Sequence, residues 1–421
     1  MEAFFSVVSE IFIIVLAISV ILYLFKFVYF AFGFVPQKTF AKAEEKTRFA
    51  LLVPARDESA VIEDLLISIK NQTYSKEMFH TFIIVASEDD PTIEIAKKYE
   101  NTTCFIVDKN SKGKGRALDY GIAKAKEMFG NIFDAYLIVD ADNTCDSKFI
   151  EKMNDAFCQG YDIVIAKKLN KSWKDSLISN CSALTYTFVD TLNNKFRSKA
   201  GGNVTITGTG VCVSKKVIDD LGGWKFHTIT EDYELTLYSI VNNLKSYYYE
   251  QAIVTTEEPS NLKTTKIRRL RWVKGHNQVE KMYRNKQFKQ LFAWGGERKF
   301  FLFENLFSLV PIIIAAADIF LFVAVCLVCM VYGIVCNGAF AITALLTGLA
   351  VIGALYVVLM LYTILALIVD RACMDLTFKQ KVAITLFNPI YLIMYVPIYA
   401  KAVVVKEVEW VPIEHNVIIN K

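Results

Sequence analysis

Leu137-Ile138-Val139-Asp140-Ala141-Asp142 is the stretch whose reading decides the fold. Three large apolar residues suit a buried strand, and two carboxylates separated by one alanine follow it. In an open α/β sheet ligands settle at the carboxyl ends of strands, so both acids stand where a ligand would lie. Carboxylates this close repel unless a cation sits between them or one takes a proton. A lone Asp-x-Asp is also a common solvated turn. Its place after a buried strand favours a divalent metal, Mg²⁺ or Mn²⁺, carrying a diphosphate on oxygen ligands.

The same pattern recurs around this stretch. Phe49-Ala50-Leu51-Leu52-Val53-Pro54 is an apolar run closed by proline, followed by a polar turn and the helical period Ile62, Leu65, Leu66, Ile69. Phe82-Ile83-Ile84-Val85-Ala86 ends in Ser87-Glu88-Asp89-Asp90-Pro91, and Cys104-Phe105-Ile106-Val107 ends at Asp108. Repeated strand-turn-helix units predict a largely parallel α/β sheet whose carboxyl edge forms one site. Further on come the strand Asp162 to Ala166, a helix-like stretch from Leu177 to Leu192, and the turn-rich run Thr207-Gly208-Thr209-Gly210-Val211-Cys212-Val213. Thr230-Glu231-Asp232-Tyr233-Glu234-Leu235 then opens a helix that Thr230 can cap and whose positive end suits the acids.

Three motifs carry chemistry. In Thr230-Glu231-Asp232, Asp232 is the candidate base for a displacement at a sugar carbon, with Glu231 its neighbour. The plainer reading is two acids in the first turn of a helix. In Arg268-Arg269-Leu270-Arg271-Trp272, guanidinium groups suit phosphate oxygens and an indole suits the apolar face of a sugar. The alternative is a basic cluster drawn to anionic lipid. Lys112-Gly113-Lys114-Gly115-Arg116 suits a diphosphate but lacks the full phosphate-loop spacing, and serves equally as a solvated turn. His227 and His276 carry no assigned role.

Composition sets the surroundings of that site. The 421 residues carry 47 Lys and Arg against 43 Asp and Glu, and a net charge of +4 is too small to argue for nucleic acid, which is not expected as a partner. Hydrophobic residues are 54% of the chain and its mean hydropathy is +0.33, so part of it belongs in lipid. Ile11 to Val35 reads as a span rather than a cleaved signal, because no basic stretch precedes it and no Ala-x-Ala site follows. Lys38, Lys42, Lys46 and Arg48 come after it, which sets the amino terminus outside and the next domain in the cytoplasm. Leu309 to Val335 and Ala339 to Val369 read as two more spans, and Phe300 to Phe307 as an interfacial helix. Ala383 to Val405, interrupted by Pro389 and Pro397, can span, re-enter or lie along the interface. Asp318 within a span should face protein or water. The one CxxC pair, Cys326 and Cys329, lies in a long apolar run that does not suit a zinc or redox site. Cys104, Cys145, Cys158, Cys181 and Cys212 lack metal-ligand spacing, and all nine cysteines read as free thiols of a reducing compartment. Expected boundaries are an amino-terminal transmembrane helix at 1–36, a cytosolic domain at 46–290, interfacial and transmembrane helices at 297–405, and a tail at 406–421.

Taken in order, these residues resemble the membrane-embedded family 2 glycosyltransferases, the group that includes hyaluronan, chitin and cellulose synthases. The resemblance covers roughly Phe49 to Gly275 plus the flanking spans. Val53-Pro54-Ala55-Arg56-Asp57-Glu58 looks like the family's first nucleotide-contacting loop, which implies donor contacts at Pro54, Ala55, Arg56 and Glu58. Gly113-Lys114-Gly115-Arg116-Ala117-Leu118 looks like the second, which implicates Lys114. Asp140-Ala141-Asp142 matches the metal and nucleotide-sugar motif, and Gly208-Thr209-Gly210 falls where the family shapes its acceptor site. Thr230-Glu231-Asp232 matches the motif whose aspartate is the base. Two departures stand out. Arg268 replaces the glutamine of Gln-x-x-Arg-Trp, and Glu88 stands where many members use an aspartate for the nucleotide base.

The resemblance implies a GT-A (Rossmann-like) cytosolic domain with flanking transmembrane helices, in a multi-pass protein of the cell membrane. It implies an inverting transferase with Mg²⁺ or Mn²⁺ on Asp142 and Asp140, and a nucleotide-sugar donor, expected to be a UDP-sugar. Arg268 and Arg271 would contact the donor and Trp272 the acceptor, a polysaccharide or lipid-linked chain. The expected activity is processive synthesis with export through the chain's own helices. Single-sugar transfer to a lipid or cell-wall acceptor is the alternative, and a transport or sensing protein the competitor from another class.

Overall fold

The computed structural model describes the chain apart from residues 109–112, 172–175, 294–298, 309, 337, 371–375, 407 and 409–421, and apart from the side chains of residues 25, 27, 28 and 30. Lys112 of the basic loop, Arg371, Cys373 and nearly all of the expected tail therefore lie outside the described residues. The chain divides into two compact units. One comprises Met1–Phe34 and Arg298–Leu392, the other Val35–Glu297 and Ile393–Lys421.

The second unit is built on an eight-stranded sheet: β1 (Phe49–Pro54), β2 (Phe79–Val85), β3 (Thr102–Ile106), β4 (Ala135–Ile138), β5 (Thr144–Cys145), β6 (Ile163–Asn170), β7 (Val211–Ser214) and β8 (Ser246–Thr256). Their spatial order is β3-β2-β1-β4-β7-β6-β8-β5. The strands β3, β2, β1 and β4 are mutually parallel, as the repeated strand-turn-helix pattern predicts. Phe49, Leu51 and Val53 of β1 pack into one core layer, whereas Ala50 and Leu52 pack into the other. Burial on both faces explains why this strand is a continuous apolar run instead of an alternating one.

Beyond β4 the expected largely parallel sheet becomes mixed. β7 runs antiparallel to both β4 and β6, with Ile138 opposite Val211 and Ala135 opposite Ser214. This reversal has a direct consequence for the site. The loop that precedes β7, Thr207 to Gly210, lies at the carboxyl end of β4, beside Asp140. β8 pairs in parallel with β6, and its carboxyl end delivers Glu257 and Glu258 at that of β6. This eleven-residue strand is missing from the sequence expectations, although its Tyr247, Tyr248 and Tyr249 are all buried.

The helix-like stretch after β6 is an α-helix, Leu177–Tyr186, that loosens into a π-helix over Thr187–Asn194. Three helices border the carboxyl edge of the sheet: the lysine helix Lys114–Phe129, the acid helix Glu231–Val241 and the long helix Leu262–Phe292. Tyr395–Val404 also belongs to this unit. Its Ile398 and Ala402 pack on Val273 of the long helix, and Lys274 Nζ donates to the carbonyls of Ala402 (3.2 Å) and Val405 (2.6 Å).

The first unit is helical: Glu2–Tyr23, Phe25–Gly33, Lys299–Phe307, Val310–Cys336, Gly338–Val369 and Phe378–Ile393. Among the described residues, four helical stretches are long and apolar enough to cross a membrane: Glu2–Tyr23, Lys299–Cys336, Gly338–Val369 and Phe378–Val404. The first begins earlier than the expected Ile11 and breaks at Leu24, well short of Val35. The break leaves Lys26 paired with Glu304, a carboxylate only 1% exposed, so that neither charge is buried alone. The stretch from Ala383 to Val405 is two helices that meet at Met394. Within the unit, Phe12 stacks on Phe322 at 4.1 Å and Phe5 meets Phe340 edge-on. Ile13, Ile21, Leu321 and Val335 are exposed, the inverse of a water-soluble bundle and the arrangement a bilayer demands. Asp318 is half-buried on its helix.

Candidate functional site

The site is built where β4 ends. Asp140 leaves the strand with its backbone N–H donating to Thr209 Oγ1 at 3.1 Å, and Asn143 Nδ2 donates to the same oxygen. One threonine of the β7 loop thereby fixes the turn that carries Asp140-Ala141-Asp142. Asp140 and Asp142 are both half-buried, with 35% of the Asp140 side chain exposed.

Lys114, the first residue of the lysine helix, joins the motifs. Its Nζ donates to Asp140 Oδ1 and to the Gly208 carbonyl (2.6 Å), and lies 3.6 Å from Glu231 Oε1. The helix can start this close because Gly115 has no side chain: a Cβ there would fall 2.0 Å from the Phe226 carbonyl oxygen. Gly208, at φ +53°, completes the wall; a Cβ there would lie 3.3 Å from Asp232 Oδ2 and 3.6 Å from Lys114 Nζ. The motifs expected to serve donor, acceptor and base thus converge on one ammonium group. Burial opposes the charge on Lys114, yet Asp140 and Glu231 outweigh it and hold its pKa above the ordinary lysine range. Glu231 is pushed up to about 7 by burial and by Asp232 and Asp140, with Lys114 acting against the shift.

The long helix closes the site from another side. Gly275 rests on Thr230, where a Cβ would come within 2.5 Å of its Cγ2, and His276 stacks on Tyr233 at 4.1 Å between ring centres. Tyr233 Oη donates to Glu280, so the residue after the candidate base is anchored to the long helix twice. Asp232 Oδ1 accepts from the Tyr233 N–H at 2.8 Å. Arg271 feels the site acids: burial and Arg268 lower its pKa, while Glu231, Asp232 and Asp140 oppose that. Arg268 binds elsewhere, with Nη1 3.3 Å from Glu258 Oε1 and Nη2 donating to Tyr186 Oη at 3.2 Å. Its guanidinium carbon lies 4.9 Å from the centre of the half-buried Trp272 ring.

The first expected nucleotide loop follows β1. Pro54 ends the strand, Ala55 N–H donates to the Ile84 carbonyl at 2.9 Å, Arg56 is exposed and Glu58 is half-buried. Asp57 takes a left-handed backbone, φ +61°, and its N–H meets Asp90 Oδ2 at 3.4 Å. Glu88 is exposed beyond β2, whereas the nearby Asp90 is buried and accepts from Thr92 N–H. His227 sits 3.4 Å from Asp119. Sequence reasoning misses Glu258, Tyr186 and Asn143. Only Glu258 carries a signal, as a carboxylate placed shortly before an arginine cluster.

For a divalent cation the side chains offer two hard oxygen donors, Asp140 and Asp142, and the described residues contain no group of three His, Cys, Asp or Glu that could hold a metal alone. That donor set fits Mg²⁺ or Mn²⁺, which use few carboxylates and take phosphate and water for the rest of their shell.

Residues 47–275 match the family model described as glycosyltransferase like family 2, a span of more than half the chain. The chain is 25% identical over 256 residues to "Probable glycosyltransferase YdaM" of Bacillus subtilis and 26% identical over 238 residues to the poly-beta-1,6-N-acetyl-D-glucosamine synthase of Staphylococcus aureus. The matches take in 56% of this chain and 57% and 56% of those proteins, so the chain spans a little over half the length of the curated relatives it matches. The structure of the mannosyltransferase PcManGT from Pyrobaculum calidifontis, in complex with GDP-Man and Mn²⁺, superposes with a TM-score of 0.57 at 15% identity, over 92% of this chain and 98% of that one. The fold is therefore GT-A, and the match with the family model shows that the chain belongs to the family 2 glycosyltransferases.

Proposed function

We propose that this transferase moves a sugar from a UDP-sugar to a growing polysaccharide with inversion at the sugar carbon. One observation carries the reading: Lys114 touches Asp140, Gly208 and Glu231, so the expected donor, acceptor and base motifs share a single cation. A bound Mg²⁺ or Mn²⁺, held by Asp142 and Asp140, would neutralise charge on the departing diphosphate. Asp232 takes the proton of the acceptor hydroxyl as its oxygen forms a bond to the sugar carbon. The bond from that carbon to the diphosphate oxygen breaks, and the nucleoside diphosphate leaves.

Arg271 supplies positive charge for the diphosphate and Lys114 orients the leaving group, while Arg268, expected at the donor, is held instead by Glu258. Pro54, Ala55, Arg56, Glu58 and Glu88 form the nucleotide side of the cleft. Gly208, Thr209 and Gly210 leave room for the acceptor, whose sugar stacks on Trp272. The basic residues after the first apolar segment favour a cytoplasmic catalytic domain, with the product leaving through the chain's own helices. Likeness to a polymer synthase over 56% of the chain supports the polymerising version. Arg268, standing where the resembled family has glutamine, favours the alternative of a single addition to a lipid or cell-wall acceptor.

Purified protein incubated with Mn²⁺ and labelled UDP-sugars tests both levels. Transfer that depends on Asp232 supports the mechanism, and near-normal transfer by folded Asp232→Asn refutes it. A ladder of long products supports the synthase. A product one sugar longer than its acceptor sinks that version and leaves the transferase.

A further inference from the structure

The catalytic unit contains a second charge cluster that the mechanism does not use. Glu258 lies just past β8 with its side chain fully buried, 0% exposed. Arg268 Nη1 is 3.3 Å from its Oε1, Arg269 Nη2 is 3.9 Å from its Oε2, and Ser182 Oγ donates to the latter. Arg269, itself 1% exposed, donates to Ser182 Oγ at 2.6 Å, to the Ser182 carbonyl at 3.2 Å and to Thr185 Oγ1 at 3.2 Å. The two guanidinium carbons lie 4.9 and 4.3 Å from the centre of the Trp272 ring. Positions 268 and 269 precede 272 by four and three residues, so on the long helix all three share one face.

Adjacent arginines withdrawn from water repel each other and lose hydration. Both can remain against one indole only while an anion holds them. We propose that Glu258 is a positioning residue: its buried carboxylate clamps Arg268 and Arg269, and through them sets the indole of Trp272. This rests on the reading of Trp272 as the platform for the acceptor sugar. Glu258 touches neither donor nor reacting atoms, and its effect is on the shape of the acceptor half.

The test uses the full chain purified in detergent, with Glu258→Gln, Glu258→Asp, Arg268→Gln and the double variant Glu258→Gln/Arg268→Gln. Trp272 is isolated from the five tryptophans by subtracting the emission spectrum of Trp272→Phe from that of its parent. Glu258→Gln should shift this difference spectrum, with UDP affinity in Mn²⁺ kept within about threefold of wild type. Glu258→Asp should keep the wild-type spectrum. Removing one of the two cations should rescue, so the double variant should lie nearer wild type than Glu258→Gln in both spectrum and thermal midpoint.

An unchanged spectrum in Glu258→Gln, or a double variant no better than Glu258→Gln, overturns the assignment. UDP affinity that falls in step with the emission change also overturns it, because Glu258 would then act on the donor half. If Glu258→Gln does not fold, folding of the double variant supports the clamp and its failure refutes it. Should wild type bind no UDP, the donor reading falls by itself, while the spectra still decide the role of Glu258.

Discussion

The Asp140 cluster and the Glu258 cluster both gather opposite charges beyond the carboxyl ends of strands, and they treat those charges in opposite ways. Around Lys114 the charges stay within reach of solvent: 23% of the lysine side chain and 35% of the Asp140 side chain are exposed. Around Glu258 the centre is closed, with the carboxylate 0% and Arg269 1% exposed, and only Arg268 keeps a limited opening at 15%. A buried ion pair is satisfied only by good geometry within the protein, whereas a half-open set of acids can still take ligands. This difference is what supports the proposed division, with chemistry at the first cluster and control of shape at the second.

The comparison breaks most visibly at Asp232. Asp232→Asn keeps the shape of the open cluster and removes the base, so transfer should fall about a thousandfold with UDP affinity little changed. Single-turnover transfer and titration with UDP in Mn²⁺ measure the two effects separately. A folded variant with near-normal transfer would move the base elsewhere.

Lys114→Met should weaken UDP binding by about a hundredfold, because charge-assisted contacts to Asp140 and to the diphosphate are lost together. The same variant should leave the Trp272 difference spectrum unchanged, since no contact of Lys114 reaches the Glu258 cluster. A matching change in both readouts would mean that the two clusters are one. Gly275→Ala sharpens the contrast from the packing side. Its methyl would meet Thr230 at 2.5–2.6 Å, and the acid helix must shift to accommodate it. Thermal melts should show a loss of about 2 kcal/mol, typical of overpacking.

How far the sequence reveals these clusters depends on how locally each is encoded. β1, β4 and the Phe82–Val85 end of β2 are continuous apolar runs leading into polar turns, so strand type and the place of Asp140 are legible from neighbours alone. The reversal of β7 is not, because it depends on pairing with β4 and β6 across long chain separations. It is this reversal that puts Gly208 and Thr209 beside Asp140. β8 escapes for another reason: its tyrosine-rich run, with Glu250 and Gln251 in the middle, breaks the apolar pattern on which strand reading relies. Glu258 escapes with it, since a carboxylate reveals its role only through what surrounds it. The break at Leu24 escapes because Lys26 resembles an interruption within one helix. Its partner Glu304 is far away in the chain.

The smallest effect concerns Glu231, whose carboxyl rises from its ordinary 4.5 to about 7 through burial and the nearby Asp232 and Asp140. Between those two values the native chain holds a proton that the unfolded chain has released. Stability from this group is therefore complete below the unfolded pKa and is lost as pH rises through the folded one. Glu231→Gln, an uncharged side chain of the same shape, removes the group's titration but also its pairing with Lys114, which lies 3.6 Å away. From about pH 5 to pH 8 wild type should lose on the order of 1 kcal/mol more stability than Glu231→Gln, read from thermal midpoints in detergent across that range. Parallel curves would show that Glu231 ionises as readily as an ordinary carboxylate. The open cluster would then hold its charges without strain, and its difference from the sealed one would lie in access alone.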